Sequence, residues 1–134
     1  MKVVVDTNIL FSYFWENSFT KNILTSYNFE FISSEKAIDE IKKYSEYIIE
    51  KTGMSLNSFE NKLEELMNKI KFFEKEEDSI FYKKATEISP DKADVEFFAI
   101  CLKEKCFLWS NDSMLKNQDF IKVLNTKEII EIIF

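Results

Sequence analysis

Four carboxylates stand where alternating strands and helices would bring them together. Asp6 directly follows the apolar run Val3-Val4-Val5, and Asp112 follows Cys106–Trp109 after Ser110-Asn111. Asp94 lies at the start of an apolar helical pattern, just beyond Asp91. Glu40 falls between Ala37 and Tyr44 at helical spacing, so it borders an apolar stripe, whereas Asp39, Lys42 and Lys43 point to the solvated face. A half-buried glutamate loses hydration and needs a compensating partner. Gathered together, the four acids would repel one another, and a divalent cation is the natural counter-charge. Hard oxygen donors without His or Cys suit Mg²⁺ or Mn²⁺ rather than zinc. A metal held this way activates water and neutralises charge on phosphate, which suits phosphodiester hydrolysis.

Each acid also has a purely structural reading. Asp6 and Asp112 are equally suited to capping a helix or turning the chain. Asp91 and Asp94 sit where carboxylates gain a few tenths to about 1 kcal/mol from the helix dipole. Taken alone, Asp94 reads as a helix-start acid. Glu40 has Lys36 one helical turn earlier as a candidate ion-pair partner.

The elements that must position these residues alternate along the chain. Lys2 to Val5 suits a buried parallel strand, and Asp6-Thr7-Asn8 offers caps for a short helix beginning near Ile9. A second helix is expected around Phe19 to Tyr27 and a second strand over Phe29 to Ile32. Ser33-Ser34 can cap one long helix from Glu35 to Lys51, with Ala37, Ile41, Tyr44 and Ile48 buried and Gly53 at its C-terminal end. Leu56, Phe59, Leu63, Leu66, Met67 and Ile70 recur at helical spacing, and Phe72-Phe73 reads as a short strand or the helix exit. Glu77 to Ile88 predicts a helix, and Ser89-Pro90-Asp91 starts another that runs to Lys105 with Pro90 in its first turn. Cys106 to Trp109 and Ile121 to Leu124 complete the strands, and Thr126 to Phe134 forms a closing helix or ends as a strand. Strands separated by helices imply βαβ units and a parallel sheet, whose ligands bind outside the carboxyl ends of the strands.

Composition narrows the chemistry. A chain of 134 residues is expected to form one domain with a sizeable core. It contains no His, which removes Ser-His and Cys-His catalysis and His-bearing zinc sites. All its basic residues are Lys, so phosphate cannot be held by a bidentate guanidinium. A net charge of −6 argues against attraction of nucleic acid by the whole surface. A phosphate-handling site must therefore use a metal, local lysines or backbone amides. Cys101 and Cys106 lack metal-finger spacing, and neither a membrane span nor a secretory signal is visible. The expectation is a cytoplasmic protein with reduced thiols.

With these residues in place, the sequence resembles the PIN-domain nuclease family. Val3-Val4-Val5-Asp6-Thr7-Asn8 is similar to the family's opening, and Ile38-Asp39-Glu40-Ile41 to its second acidic motif. The segment from Asp91 to Ile100 looks like the third motif, an Asp followed by an apolar helix, and Trp109-Ser110-Asn111-Asp112 like the fourth. The resemblance covers nearly the whole chain. It implies a three-layer α/β/α sandwich around a mostly parallel sheet of four to five strands, and Mg²⁺- or Mn²⁺-dependent cleavage of RNA. Asp6, Glu40, Asp94 and Asp112 inherit the metal-site role, with Asn8, Ser110 and Asp91 as supporting polar residues. Glu96 is a candidate outer acid, though a solvated helix start explains it better. Many small relatives are VapC-type toxins of toxin–antitoxin pairs. Two departures stand out: Met114 replaces a further Asp, and RNA contacts fall to lysines such as Lys42, Lys43, Lys83 and Lys84.

Two rival enzymes fail on single positions. A haloacid-dehalogenase-type phosphatase needs an Asp where Asn8 stands, and a phosphate-receiver domain needs paired acids that Lys2 to Val5 lacks. The remaining alternative is a PIN fold that binds RNA or scaffolds a partner with little cleavage. The bulk around Phe11, Phe14 and Trp15, and from Phe59 to Ile70, suggests a homodimer and a groove for an antitoxin helix. An all-internal core accounts for the same residues equally well.

Overall fold

In the computed structural model, residues 1–15, 18–26 and 29–133 are described. Five strands, β1 (Lys2–Val5), β2 (Glu30–Ser34), β3 (Lys71–Phe73), β4 (Phe107–Trp109) and β5 (Val123–Leu124), form one sheet in the order β3-β2-β1-β4-β5. Every pairing is parallel, as the alternation of elements requires. Val3, Val4 and Val5 point alternately to opposite faces of the sheet and are all buried, so helices cover both faces. The expected three-layer architecture is present.

The helices are α1 (Thr7–Ser12), α2 (Phe19–Leu24), α3 (Glu35–Lys43), α4 (Ser45–Thr52), α5 (Leu56–Lys69), α6 (Ile80–Ile88), α7 (Val95–Glu104) and α8 (Thr126–Ile133). Helix α7 packs across β1, β2 and β4, so it holds the acid at its start against the centre of the sheet. Trp109 is buried on β4, and its indole N–H donates to the Thr126 hydroxyl at 3.0 Å, which pins the start of α8. Phe14 stacks on Phe59 with ring centroids 5.1 Å apart and ties α5 to the turn after α1.

Several boundaries differ from the sequence reading, each for a local reason. The long helix from Glu35 to Lys51 is two helices, because Tyr44 leaves helical geometry at φ −100° and ψ 18°. Its ring turns out to meet Phe11 edge to face and stays half exposed, while Ala37, Ile41 and Ile48 are buried as expected. Helix α6 starts only after Ser79, whose hydroxyl caps it. Pro90 precedes the Asp91 cap instead of entering the first helical turn. Phe14, Phe59, Leu63, Leu66 and Ile70 belong to the internal core, whereas Leu56 and Met67 face solvent. Tyr27 and Phe134, the expected ends of two helices, lie outside the described residues. Both cysteines are free thiols, and among the described residues no helix is long and apolar enough to cross a membrane.

Gly53 closes α4 in the left-handed region at φ 74°, and an added Cβ there would meet nothing within 4 Å. Gly53→Ala should therefore cost only backbone strain, about 1 kcal/mol. Asn, which tolerates this conformation, should cost less. Thermal melts of the two variants check it; equal losses would place the cost elsewhere.

Candidate metal centre

The chain runs outward through β1, β2 and β3, then crosses back to place β4 on the other side of β1. Between β1 and β4 the winding reverses, and parallel sheets leave a crevice at the carboxyl ends of such a pair. Asp6 follows β1 and Asp112 follows β4 by a short loop, so both carboxylates sit at this edge. The Asp6 amide donates to the Trp109 carbonyl at 3.2 Å, which locks the two strand ends together. On the neighbouring strand, the Ser33 hydroxyl donates to the Val5 carbonyl at 2.7 Å.

A cavity of about 200 Å³ opens here, lined by Asp6, Asn8, Glu40, Asp91, Asp94 and Asp112, together with Thr7, Ala93 and Phe97. All four acids named from the sequence reach it, as do Asn8 and Asp91. Ser110 lies just behind, fully buried, and accepts the Asp112 amide at 3.1 Å. Asn111 accepts the Thr126 amide at 2.8 Å, so the loop that carries Asp112 is tied to α8. Glu96 does not line this cavity. It accepts the Ser34 hydroxyl at 2.7 Å and ties α7 to the junction of β2 and α3.

Capping accounts for three of the acids in part. Asp6 accepts the Ile9 amide at 3.1 Å, Asp91 the Ala93 amide at 2.9 Å, and Asp112 the Met114 amide at 3.0 Å. Asp94 differs: it occupies the cap position of α7 yet makes no side-chain cap bond. Capping therefore does not account for it.

The electrostatics are those of crowded acids. Burial pushes the Asp6 carboxyl above its usual range, against the Ser110 hydroxyl and the Ile9 and Asn8 amides, and Asp112 adds to the rise. Asp94 is pushed up to about 6, by burial first and then by Asp6, Asp91 and Asp112. Lys36 works in the opposite direction on Asp94. Its ammonium stands 3.8 Å from Glu40 and also donates to the Ala93 carbonyl, so the ion pair anticipated for Glu40 is formed.

Thr7 is one of three cap candidates in the sequence, but its hydroxyl is buried with no hydrogen-bond partner among the described residues. Such an atom forfeits about 1–3 kcal/mol unless something meets it. Carboxylates and one unmet hydroxyl around a cavity free of His and Cys form an oxygen donor set that fits Mg²⁺ or Mn²⁺. As placed, no three His, Cys, Asp or Glu side chains among the described residues converge to ligate one ion directly.

Residues 4–130 match the sequence model of the PIN domain. The chain belongs to the PIN-domain family. Among solved structures, VapBC2 from Rickettsia felis, crystallised with a DNA fragment from its promoter, is similar to this PIN domain with a TM-score of 0.67. The likeness covers 93% of this chain and 98% of that one at 14% identity, which establishes a shared fold. No curated protein matches this chain by sequence.

Proposed function

We propose that this chain is a single-domain, metal-dependent endoribonuclease, in which Asp6, Glu40, Asp94 and Asp112 hold Mg²⁺ or Mn²⁺. One observation carries the reading: four acids from separate elements line one cavity at the switch point of the sheet, and one of them, Asp94, has no structural cap bond. A divalent ion, when bound there, supplies charge neutralisation at the phosphate and a more acidic water.

The protein's own groups do the rest. The Ile9 amide fixes the Asp6 carboxylate and the Met114 amide that of Asp112, which orients both at the cavity they line. Asp94, which makes no cap bond, presents its carboxylate to the same cavity. Phe97, buried and lining the cavity, excludes bulk water from that wall. Likeness in fold to the Rickettsia felis VapBC2 protein supports a toxin role, with an antitoxin as partner.

The Lys36–Glu40 pair and the lack of three converging ligands favour a second reading, a PIN domain that binds RNA without cutting it. Cleavage assays separate the two. The purified protein should cut single-stranded RNA with Mn²⁺ and stop on addition of EDTA. RNA that is bound but left intact would select the second reading, and cleavage that survives EDTA would exclude the metal mechanism.

A further inference from the structure

Next to the acidic cavity, and sharing Asn8 and Glu40 with it, lies a second cleft of about 540 Å³. Its remaining walls are Phe11, Trp15, Lys43, Tyr44 and Tyr47, with no aliphatic side chain among them. Trp15, Tyr44 and Tyr47 are 36%, 48% and 55% exposed, so their rings are open to a ligand. The Lys43 ammonium stands 5.6 Å from the Tyr44 ring centroid, and that of Lys51 stands 5.8 Å from Tyr47.

We propose that this cleft is a nucleobase-stacking subsite, taking unpaired bases of the strand whose phosphodiester enters the acidic cavity. The inference rests on the nuclease reading above and names its substrate as unpaired RNA. Continuity with the cavity places the cleft where nucleotides flanking the cut must pass. Aromatic faces accept any base and strengthen binding by about tenfold for each base stacked. The Lys43 and Lys51 ammonium groups lie over the Tyr44 and Tyr47 rings and supply local positive charge for the phosphates of a bound strand. A chain of net charge −6 cannot hold RNA by its whole surface, so local contacts must supply the affinity, and a stacking platform adds to those of metal and lysines. Bases within a duplex are already stacked on each other, and the cleft therefore selects loops and single strands.

Of the two tryptophans, Trp109 is fully buried, so Trp15 is the one whose emission a stacked base can quench. The probe is a 2′-O-methyl RNA single strand of about eight nucleotides, titrated in Mn²⁺. It should quench Trp15, and Tyr47→Ala should weaken binding by about tenfold. Tyr47→Phe, which keeps the ring, should bind like the wild type. A duplex of the same sequence should not distinguish Tyr47→Ala from the wild type. Equal single-strand affinity for the wild type and Tyr47→Ala overturns the subsite. So does quenching by an amphipathic helical peptide with none by RNA, which would make the cleft a protein groove. Cleavage of unmodified RNA is read alongside. Lost binding without any wild-type cleavage sinks the nuclease reading alone, and intact cleavage without lost binding sinks the subsite alone.

Discussion

Asp94→Asn should lower the rate of RNA cleavage by about a hundredfold or more, the scale on which removal of groups at metal sites acts. The substitution keeps shape and removes one negative charge from a cavity that collects several. Since Asp94 makes no cap bond to α7, the loss cannot be assigned to a lost cap. Asp6→Asn should have a similar effect, because Asn retains an oxygen for the Ile9 amide while removing the carboxylate's charge. Asp91→Asn provides the contrast. Its carboxylate is engaged with the Ala93 amide, a bond Asn can also accept, so the rate should change only severalfold. Steady-state cleavage with Mn²⁺ measures all three. Full activity in both Asp94→Asn and Asp6→Asn would remove this cavity as the place of the chemistry.

Metal-free protein offers the second large effect, of opposite sign. Crowded carboxylates that no cation balances destabilise the fold, so Asp94→Asn should raise stability by about 1 kcal/mol, roughly 4 °C in melting temperature. The pH dependence follows from the same charge. The folded pKa of Asp94 is about 6 against an ordinary 3.8, so the fold binds this proton more tightly than the unfolded chain does. Its contribution is complete below pH 3.8 and is lost as pH rises through about 6, and Asp6 is shifted in the same direction. In EDTA, wild-type melting temperature should therefore fall across this window, and the Asp94→Asn curve should be flatter. Mn²⁺ at about a hundred times its dissociation constant should stabilise the wild type by about 2.7 kcal/mol, near 10 °C, and the variant much less. A variant less stable than the wild type in EDTA, with a wild type indifferent to Mn²⁺, would mean that the acids serve the fold alone.

Much of this protein was legible from local pattern. Val3-Val4-Val5 is apolar at successive positions, which only a strand covered on both faces tolerates, and β1 has the bounds read for it. Parallel strands joined by helices must all end at one edge, so acids just after apolar runs were bound to share that edge. Gly53 at the end of α4 and the strands before Asp6 and Asp112 follow from the same local rules.

Other features depended on which segments become neighbours, and no local period carries that information. Strand order placed β4 beside β1, and so set Asp112 near Asp6 and the start of α7 across from both. Helical spacing named Lys36 as a partner for Glu40, but only packing of α3 against the turn before α7 put its ammonium on Ala93 and within reach of Asp94. The break at Tyr44 was invisible in an uninterrupted apolar stripe; it arises as the chain turns beside Phe11, which leaves the ring half exposed at the mouth of the aromatic cleft. Thr7 read as one of three possible helix caps, and only burial in the fold shows its hydroxyl unmatched among the described residues. Sequence alone could name the acids and the edge they share, because both are consequences of chain periodicity. Their protonation, their lysine and the cleft beside them are set by distances across the fold, which only the tertiary structure decides.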